Sequence, residues 1–299
     1  MIRGNGSSMN NCLALGTAQF GLPYGIANQV GRISRDEATT ILDHAWAAGL
    51  DTIDTAIAYG ESEQRLGEIG VAQWQVISKL PEIPEYCTNV AAWVQESVLS
   101  SLERLKIAKL RGMLLHRPKQ LLGSQGEQLY RAMIALKDEG KVEKIGISIY
   151  DPDELDALLP HYKLDLVQAP FNIIDRRLAT SDWLKRLHQI GTEVHVRSVF
   201  LQGLLLMDAA KRPATFSRWQ PLWHQWHSWL VKEALTPLQA CLSFVASQQE
   251  VNRFIVGVDS CYQLEQVLAA LDNMRNVEFP MELACQDPLL INPSYWSLD

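Results

Sequence analysis

The chain has 299 residues, of which 47% are hydrophobic and 20% charged, and its net charge is −7. This composition supports a large globular core, and the acidic balance gives no electrostatic reason to bind nucleic acid or an anionic membrane. No apolar run reaches the ~18 residues of a membrane span. The five cysteines (Cys12, Cys87, Cys241, Cys261, Cys285) are too few and too scattered for a disulfide framework or a metal site, which fits a reducing cytoplasm.

Residues 1–11 are polar and contain glycine and serine, and they read as a flexible leader before a barrel spanning 12–299. A short apolar run at 12–16 is the first predicted strand. Ser34, with Glu37 three residues on, has the spacing of a capping box, and Ile41, Leu42, Ala45 and Ala48 repeat at helical period until Gly49. Strand and helix signals then alternate. Strands are predicted at 52–54, 74–78, 112–115, 144–148, 164–168, 193–198 and 253–258. Helices are predicted at 62–69, 90–105, 125–139, 153–159, 183–190, 237–247 and 261–271.

A tryptophan-rich insertion at about 207–229 interrupts the series. Most strands are continuously apolar, as when both faces are covered, and about eight strand–helix units is the number that closes a (β/α)8 TIM barrel. A doubly wound dinucleotide fold is disfavoured, because Gly16-Thr-Ala-Gln-Phe-Gly21 lacks the spacing of the phosphate-binding glycine turn.

In such a barrel the reactive groups gather where strands end. Asp54 ends the second strand, Tyr59 follows it, Lys79 ends the third and His116 the fourth. A phenol with a pKa of ~10 is a poor acid at neutral pH, and a nearby ammonium should lower that value. An aspartate would hold the lysine in place, and an imidazole would orient a carbonyl oxygen. Together these groups can protonate an alkoxide as hydride arrives, or deprotonate an alcohol in reverse, without a metal.

The segment Asp54-Thr-Ala-x-x-Tyr-Gly-x-Ser-Glu-x-x-Leu-Gly67 resembles the aldo-keto reductases. So do Lys79, Leu115-His-Arg-Pro118, Gly146-Ile-Ser148, Val167-Gln-x-x-Phe-Asn172 and Gln202-Gly-Leu-Leu205. The resemblance runs from about Ala14 to Leu271. It implies a barrel that binds a nicotinamide dinucleotide, NADP(H) rather than NAD(H) by the family's habit, and transfers hydride to or from a small-molecule carbonyl or alcohol. It also implies the tetrad Asp54, Tyr59, Lys79 and His116.

By the same resemblance, Gly16 and Thr17 lie against the cofactor and Ser148 and Gln168 hold the nicotinamide amide. Ser198, Leu201 and Gly203 lie along the pyrophosphate. Gly257, Val258, Asp259 and Gln263 lie near the adenosine, and Phe20, Tyr24 and Arg117 face substrate. The sequence departs from the family at three points. Ile149 replaces an asparagine, Arg197 replaces the aromatic that stacks on nicotinamide, and Val258-Asp259 replaces the basic residues that grip a 2′-phosphate. An acid there suits a free 2′-hydroxyl.

A different reading is a slow, cofactor-binding regulatory barrel. A hydrolase or aldolase would need a carboxylate pair or a Schiff-base lysine. Arg117 and Arg197 are candidates either for an anionic substrate group or for structural ion pairs. Trp219, Trp223, Trp226 and Trp229, spaced three and four apart, read as packing, with a substrate or subunit contact as the other option. A monomer or small homo-oligomer is expected.

Overall fold

The computed structural model of the chain describes residues 12–28 and 31–296, so the leader at 1–11 lies outside the described residues. Eight parallel strands close in chain order: β1 (Leu13–Gly16), β2 (Thr52–Asp54), β3 (Gln75–Leu80), β4 (Leu110–Leu115), β5 (Val142–Ser148), β6 (Leu166–Pro170), β7 (Glu193–Arg197) and β8 (Arg253–Gly257), which pairs back onto β1. The fold is the single-domain (β/α)8 barrel.

Its helices are α1 (Arg35–Ala47), α2 (Ser62–Ile69), α3 (Val90–Leu105), α4 (Gly126–Asp138), α5 (Asp153–Leu158), α6 (Trp183–Gln189), α7 (Gln220–Glu233), α8 (Pro237–Ala246) and α9 (Cys261–Asp272). One-turn helices join several of them. Ser34 caps α1 by accepting from the Glu37 amide. The Glu37 carboxylate does not close the box but accepts from the Cys261 amide at the start of α9.

The strands differ from expectation mainly at their lower ends. β4 and β5 each begin two residues early, at Leu110 and Val142, which brings Arg111 and Glu143 into the strands. Arg111 and Lys144 both pair with Glu193 of β7 across the barrel floor, so the Arg111 charge, which reads as loop in the sequence, is strand in the fold.

Residues two apart on a strand share a face, and this stratifies the interior. The floor is the charged layer just described. Above it Ile77, Leu114 and Leu166 form a small apolar cluster of their own. Two residues further along the same strands come Lys79, His116 and Gln168. The inner space is tight where β5 meets β6: a Cβ on Gly146 would stand 2.0 Å from the Leu166 carbonyl oxygen.

The second half of the Asp54–Gly67 motif is structural. Ser62 Oγ donates to the Thr17 carbonyl, tying α2 to the turn after β1. Glu63 is buried and accepts from Ser78 Oγ at 2.6 Å, Ser101 Oγ at 2.6 Å and Arg104 Nη2 at 2.7 Å. One carboxylate thus joins α2, β3 and α3.

The tryptophan series is packing. Trp223, Trp226 and Trp229 form the buried face of α7, and Trp226 and Trp229 stack at 5.8 Å. Trp219 donates its indole N–H to Asp287.

Replacing Glu63 with Ala strands two buried hydroxyls and a guanidinium, and breaking such a buried pair costs roughly 3 kcal/mol. The expected outcome is a lower urea midpoint with an unchanged m-value. A shift below about 1 kcal/mol would mean that the network contributes little.

Candidate active site

At the carboxyl ends of the strands, Lys79 is fully buried and donates to Asp54 Oδ1 at 2.6 Å and to the Thr55 carbonyl at 2.8 Å. The other oxygen of Asp54 accepts from Gln168 Nε2 at 2.7 Å, and Ser148 Oγ lies 3.2 Å from Gln168 Oε1. The Asp54 backbone is held as well, since its carbonyl accepts from both the amide and the hydroxyl of Thr17. Three strand ends are locked around one carboxylate.

Tyr59 lies above this cluster, with Lys79 Nζ 5.1 Å from its ring centroid, and His116 packs edge-on at 5.9 Å. The imidazole is positioned by its own backbone, whose amide donates to the Leu80 carbonyl. The structure thus brings the four strand-end residues together.

Their electrostatics differ from expectation in one respect. The phenol of Tyr59 is pushed well above its ordinary value, first by burial and then by the Asp54 charge. Both of the lysine's hydrogen bonds go to Asp54 and Thr55, so the ammonium is largely neutralised before it acts on the phenol. Burial likewise lowers the Lys79 pKa against the pull of Asp54. Burial, then Lys79, Arg197 and Arg117, push His116 down to about 3, so its imidazole is neutral at pH 7.

A cavity of about 340 Å³ opens beside Asp54 and Tyr59 and runs past β1, β7 and β8 to the start of α9. Of the residues implied by sequence, Gly16, Thr17, Tyr24, Arg197, Ser198, Gly203, Gly257, Val258, Asp259 and Gln263 line it. The others sit elsewhere. Ser148 and Gln168 do not line it: Gln168 donates to Asp54, and Ser148 is directed at Gln168. Leu201 and Phe20 are fully buried core residues, and Arg117 is an exposed residue at the rim.

Leu201 still shapes the wall through its backbone. Ser198, Leu201, Gln202 and Gly203 all take positive φ, between 48° and 90°. The Ser198 turn is clamped by Asn172, which donates to its carbonyl at 3.0 Å. At Gly203 a Cβ would come within 2.6 Å of the Ala27 Cβ, so glycine is required there for space as well as for φ.

At the α9 end, Asp259 accepts from Asn28 Nδ2 at 3.0 Å, and its amide donates to Gln263 at 2.8 Å. No lysine or arginine among the described residues lines that end; the cavity's cation is Arg197, near Tyr59. Arg197 donates to the Ile149 carbonyl at 2.9 Å and rests over the ring of Tyr150.

Asn28, Gln19 and Tyr150 belong to this site and were not singled out in the sequence. Gln19 lies in the one-turn helix Ala18–Gly21 and Asn28 and Tyr150 in loops, and only the closed barrel brings them together. The described residues also contain one group of possible metal ligands, His44, Cys261 and Glu265, none of which lines the cavity. No helix among the described residues is long and apolar enough to cross a membrane.

The low pKa of His116 makes stability depend on acid. Above pH 6.5 the imidazole is neutral both folded and unfolded. Below it, only the unfolded chain takes the proton until about pH 3, so stability falls as pH drops through that window. From pH 6.5 to 4.5 this one group removes up to about 2 kcal/mol. Urea midpoints of His116→Asn should therefore fall less steeply with acid than those of wild type; parallel slopes would contradict the burial argument.

Three comparisons bear on identity. The D-threo-aldose 1-dehydrogenase of a Pseudomonas species is 27% identical, over 85% of this chain and 89% of that protein. The NADH-specific methylglyoxal reductase of Escherichia coli is 24% identical, over 78% and 82%. The fold matches the holo form of an aldo-keto reductase from Bacillus halodurans with a TM-score of 0.70 at 19% identity, over 89% of this chain and 88% of that one. The Aldo/keto reductase family model matches residues 12–278, nearly the whole described barrel, and the chain belongs to the aldo/keto reductase family.

Proposed function

We propose that this chain is an NAD(H)-linked oxidoreductase for small aldehydes and sugar-type alcohols, with Tyr59 giving or taking the proton at the reacting oxygen. The observation that carries the reading is the cavity's two ends. One is bordered by Tyr59 above the Asp54–Lys79 pair, and the other carries Asp259 without a cation.

A nicotinamide dinucleotide, when bound, supplies or accepts the hydride. The residues present fit such a group: an elongated cavity, a left-handed backbone run at Ser198–Gly203, and a carboxylate at the far end. Ser198 and Gly203 would hold its middle, and Gly257, Val258, Asp259 and Gln263 its adenosine half. Asp259 suits a ribose hydroxyl and opposes a 2′-phosphate, which argues for NAD(H) against the family's usual NADP(H). The relative named as NADH-specific is consistent with this.

The chain's own residues then do the proton chemistry. With its pKa raised, Tyr59 stays protonated at neutral pH and can donate to an oxygen that becomes alkoxide. Neutral His116 can hydrogen-bond the same oxygen. Lys79, held charged by Asp54, stabilises the phenolate that results. In the oxidative direction Tyr59 must first lose its proton, so oxidation gains from higher pH while reduction does not.

A second reading is a slow, cofactor-holding regulatory barrel, favoured by the placement of Arg197 over Tyr150 where the family carries a stacking aromatic.

Fluorescence titration is expected to give at least ~10-fold tighter binding of NADH than of NADPH, with Asp259→Ser narrowing the gap. Tighter NADPH binding would overturn the NAD(H) assignment. Tyr59→Phe should lower kcat by about 10²–10⁴ with NADH affinity unchanged. Full turnover in that variant would remove Tyr59 from its role, and NADH binding without turnover across an aldehyde panel would favour the regulatory reading.

A further inference from the structure

We infer that Arg197 and Arg117, gathered on the ring of Tyr150 at the cavity mouth, form a subsite for an anionic group on the substrate, a carboxylate or a phosphate ester. The inference rests on the hydride-transfer reading and deepens it by naming the substrate class: a short oxo acid or a phosphorylated short-chain aldehyde or sugar.

The first observation is the lack of acidic partners. Among the partly buried guanidiniums, Arg104 pairs with Glu63 and Arg177 with Asp175, whereas Arg176 is spent on the carbonyls of Ile173, Phe279 and Pro280. Arg197 is half-buried and lines the cavity, yet among the described residues it pairs with no carboxylate. It donates at 2.9 Å to the Ile149 carbonyl and, weakly, at 3.4 Å to Ser198 Oγ. A guanidinium has five N–H donors, so most of its capacity remains open. Arg117 is exposed and shows only its contact with Tyr150, the guanidinium carbon 5.4 Å from the ring centroid.

The second observation is local charge. Arg197 stands 4.7 Å from the same ring. Lys79 is matched by Asp54, and Asp151, next to Tyr150, is engaged by Arg177. The other polar groups of this wall are the phenols of Tyr24, Tyr59 and Tyr150 and the neutral imidazole of His116. Neither guanidinium has a carboxylate partner among the described residues, and the nearby Glu154 carboxylate is turned to the Tyr150 and Asp151 amides, in a chain whose net charge is −7. Both cations help depress the His116 pKa, which places them within electrostatic reach of the reacting groups.

The third observation is rigidity. The Tyr150 amide donates to Glu154 at 2.8 Å, and its phenol ring supports both guanidiniums, so the two share one fixed support.

Steady-state rates with NADH test the subsite on two matched pairs: butanal against succinic semialdehyde, and glyceraldehyde against glyceraldehyde 3-phosphate. The expected result is a kcat/KM at least about tenfold higher for the charged member of one pair or both; whichever pair responds separates carboxylate from phosphate. Arg197→Met should bring that ratio near one, chiefly through KM, and Arg117→Ala should reduce it in part. Because the ratio compares substrates on one enzyme form, a change in cofactor affinity cancels. Equal use of charged and neutral substrates by wild type, or an undiminished ratio in Arg197→Met, would overturn the inference.

If nothing turns over, the reading of function fails and calorimetry decides the subsite. Succinate or inorganic phosphate binding to the NADH-loaded protein, lost in Arg197→Met, would sustain it, and no binding to wild type would overturn it.

Discussion

The buried pair of Asp54 and Lys79 governs the rest of the mouth. Removing a carboxylate and an ammonium from water costs several kcal/mol for each ion, and their mutual attraction offsets this only when the remaining hydrogen-bonding capacity is met. Here it is met: Asp54 also accepts from Gln168, and Lys79 also donates to the Thr55 carbonyl. The same requirement explains the neighbours. Thr17 fixes the Asp54 backbone, Ser62 fixes Thr17, and Gln168 links the pair to Ser148. Tyr59 and His116 are the partly accessible fringe of a cluster whose centre is closed.

The barrel supplies the platform through strand periodicity alone. Because side chains alternate, each strand that contributes an apolar residue to the middle layer presents a polar one two positions later. Ile77 precedes Lys79, Leu114 precedes His116, and Leu166 precedes Gln168. The closed ring leaves no edge along which these strands can slip, and a one-residue shift would turn every such group outward. The position of the chemistry is thus a consequence of register, fixed by the same packing that makes the barrel fold.

This is why so much was legible in the sequence. Short apolar runs, helical spacing and the strand-end position of Asp54, Lys79 and His116 depend on local pattern, and the structure keeps that pattern. What was not legible depends on where side chains turn after the strand ends. Leu201 and Phe20 have motif positions but point into the core. Arg197 sits where an aromatic was expected, and only coordinates show it folded onto Tyr150. Asn28 meets Asp259 across more than two hundred residues of chain, which no local signal predicts. The floor charge Arg111 masked strand because its partner, Glu193, is three strands away from β4. Ser62, Glu63 and Gly67 show the reverse case: a motif associated with chemistry whose later residues serve the packing of α2.

The contrast between an acidic body and a positive mouth has a kinetic consequence. Beyond about one Debye length, ~10 Å at 0.1 M salt, an approaching anion meets the field of the whole chain, which repels it. Close in, it meets the exposed Arg117 and then Arg197, which is half-buried and therefore less screened. Added salt then weakens the distant repulsion more than the near attraction. If the mouth takes a negatively charged ligand as proposed, moderate ionic strength should speed its arrival, the reverse of ordinary electrostatic steering, so that selection would act at the threshold rather than from afar.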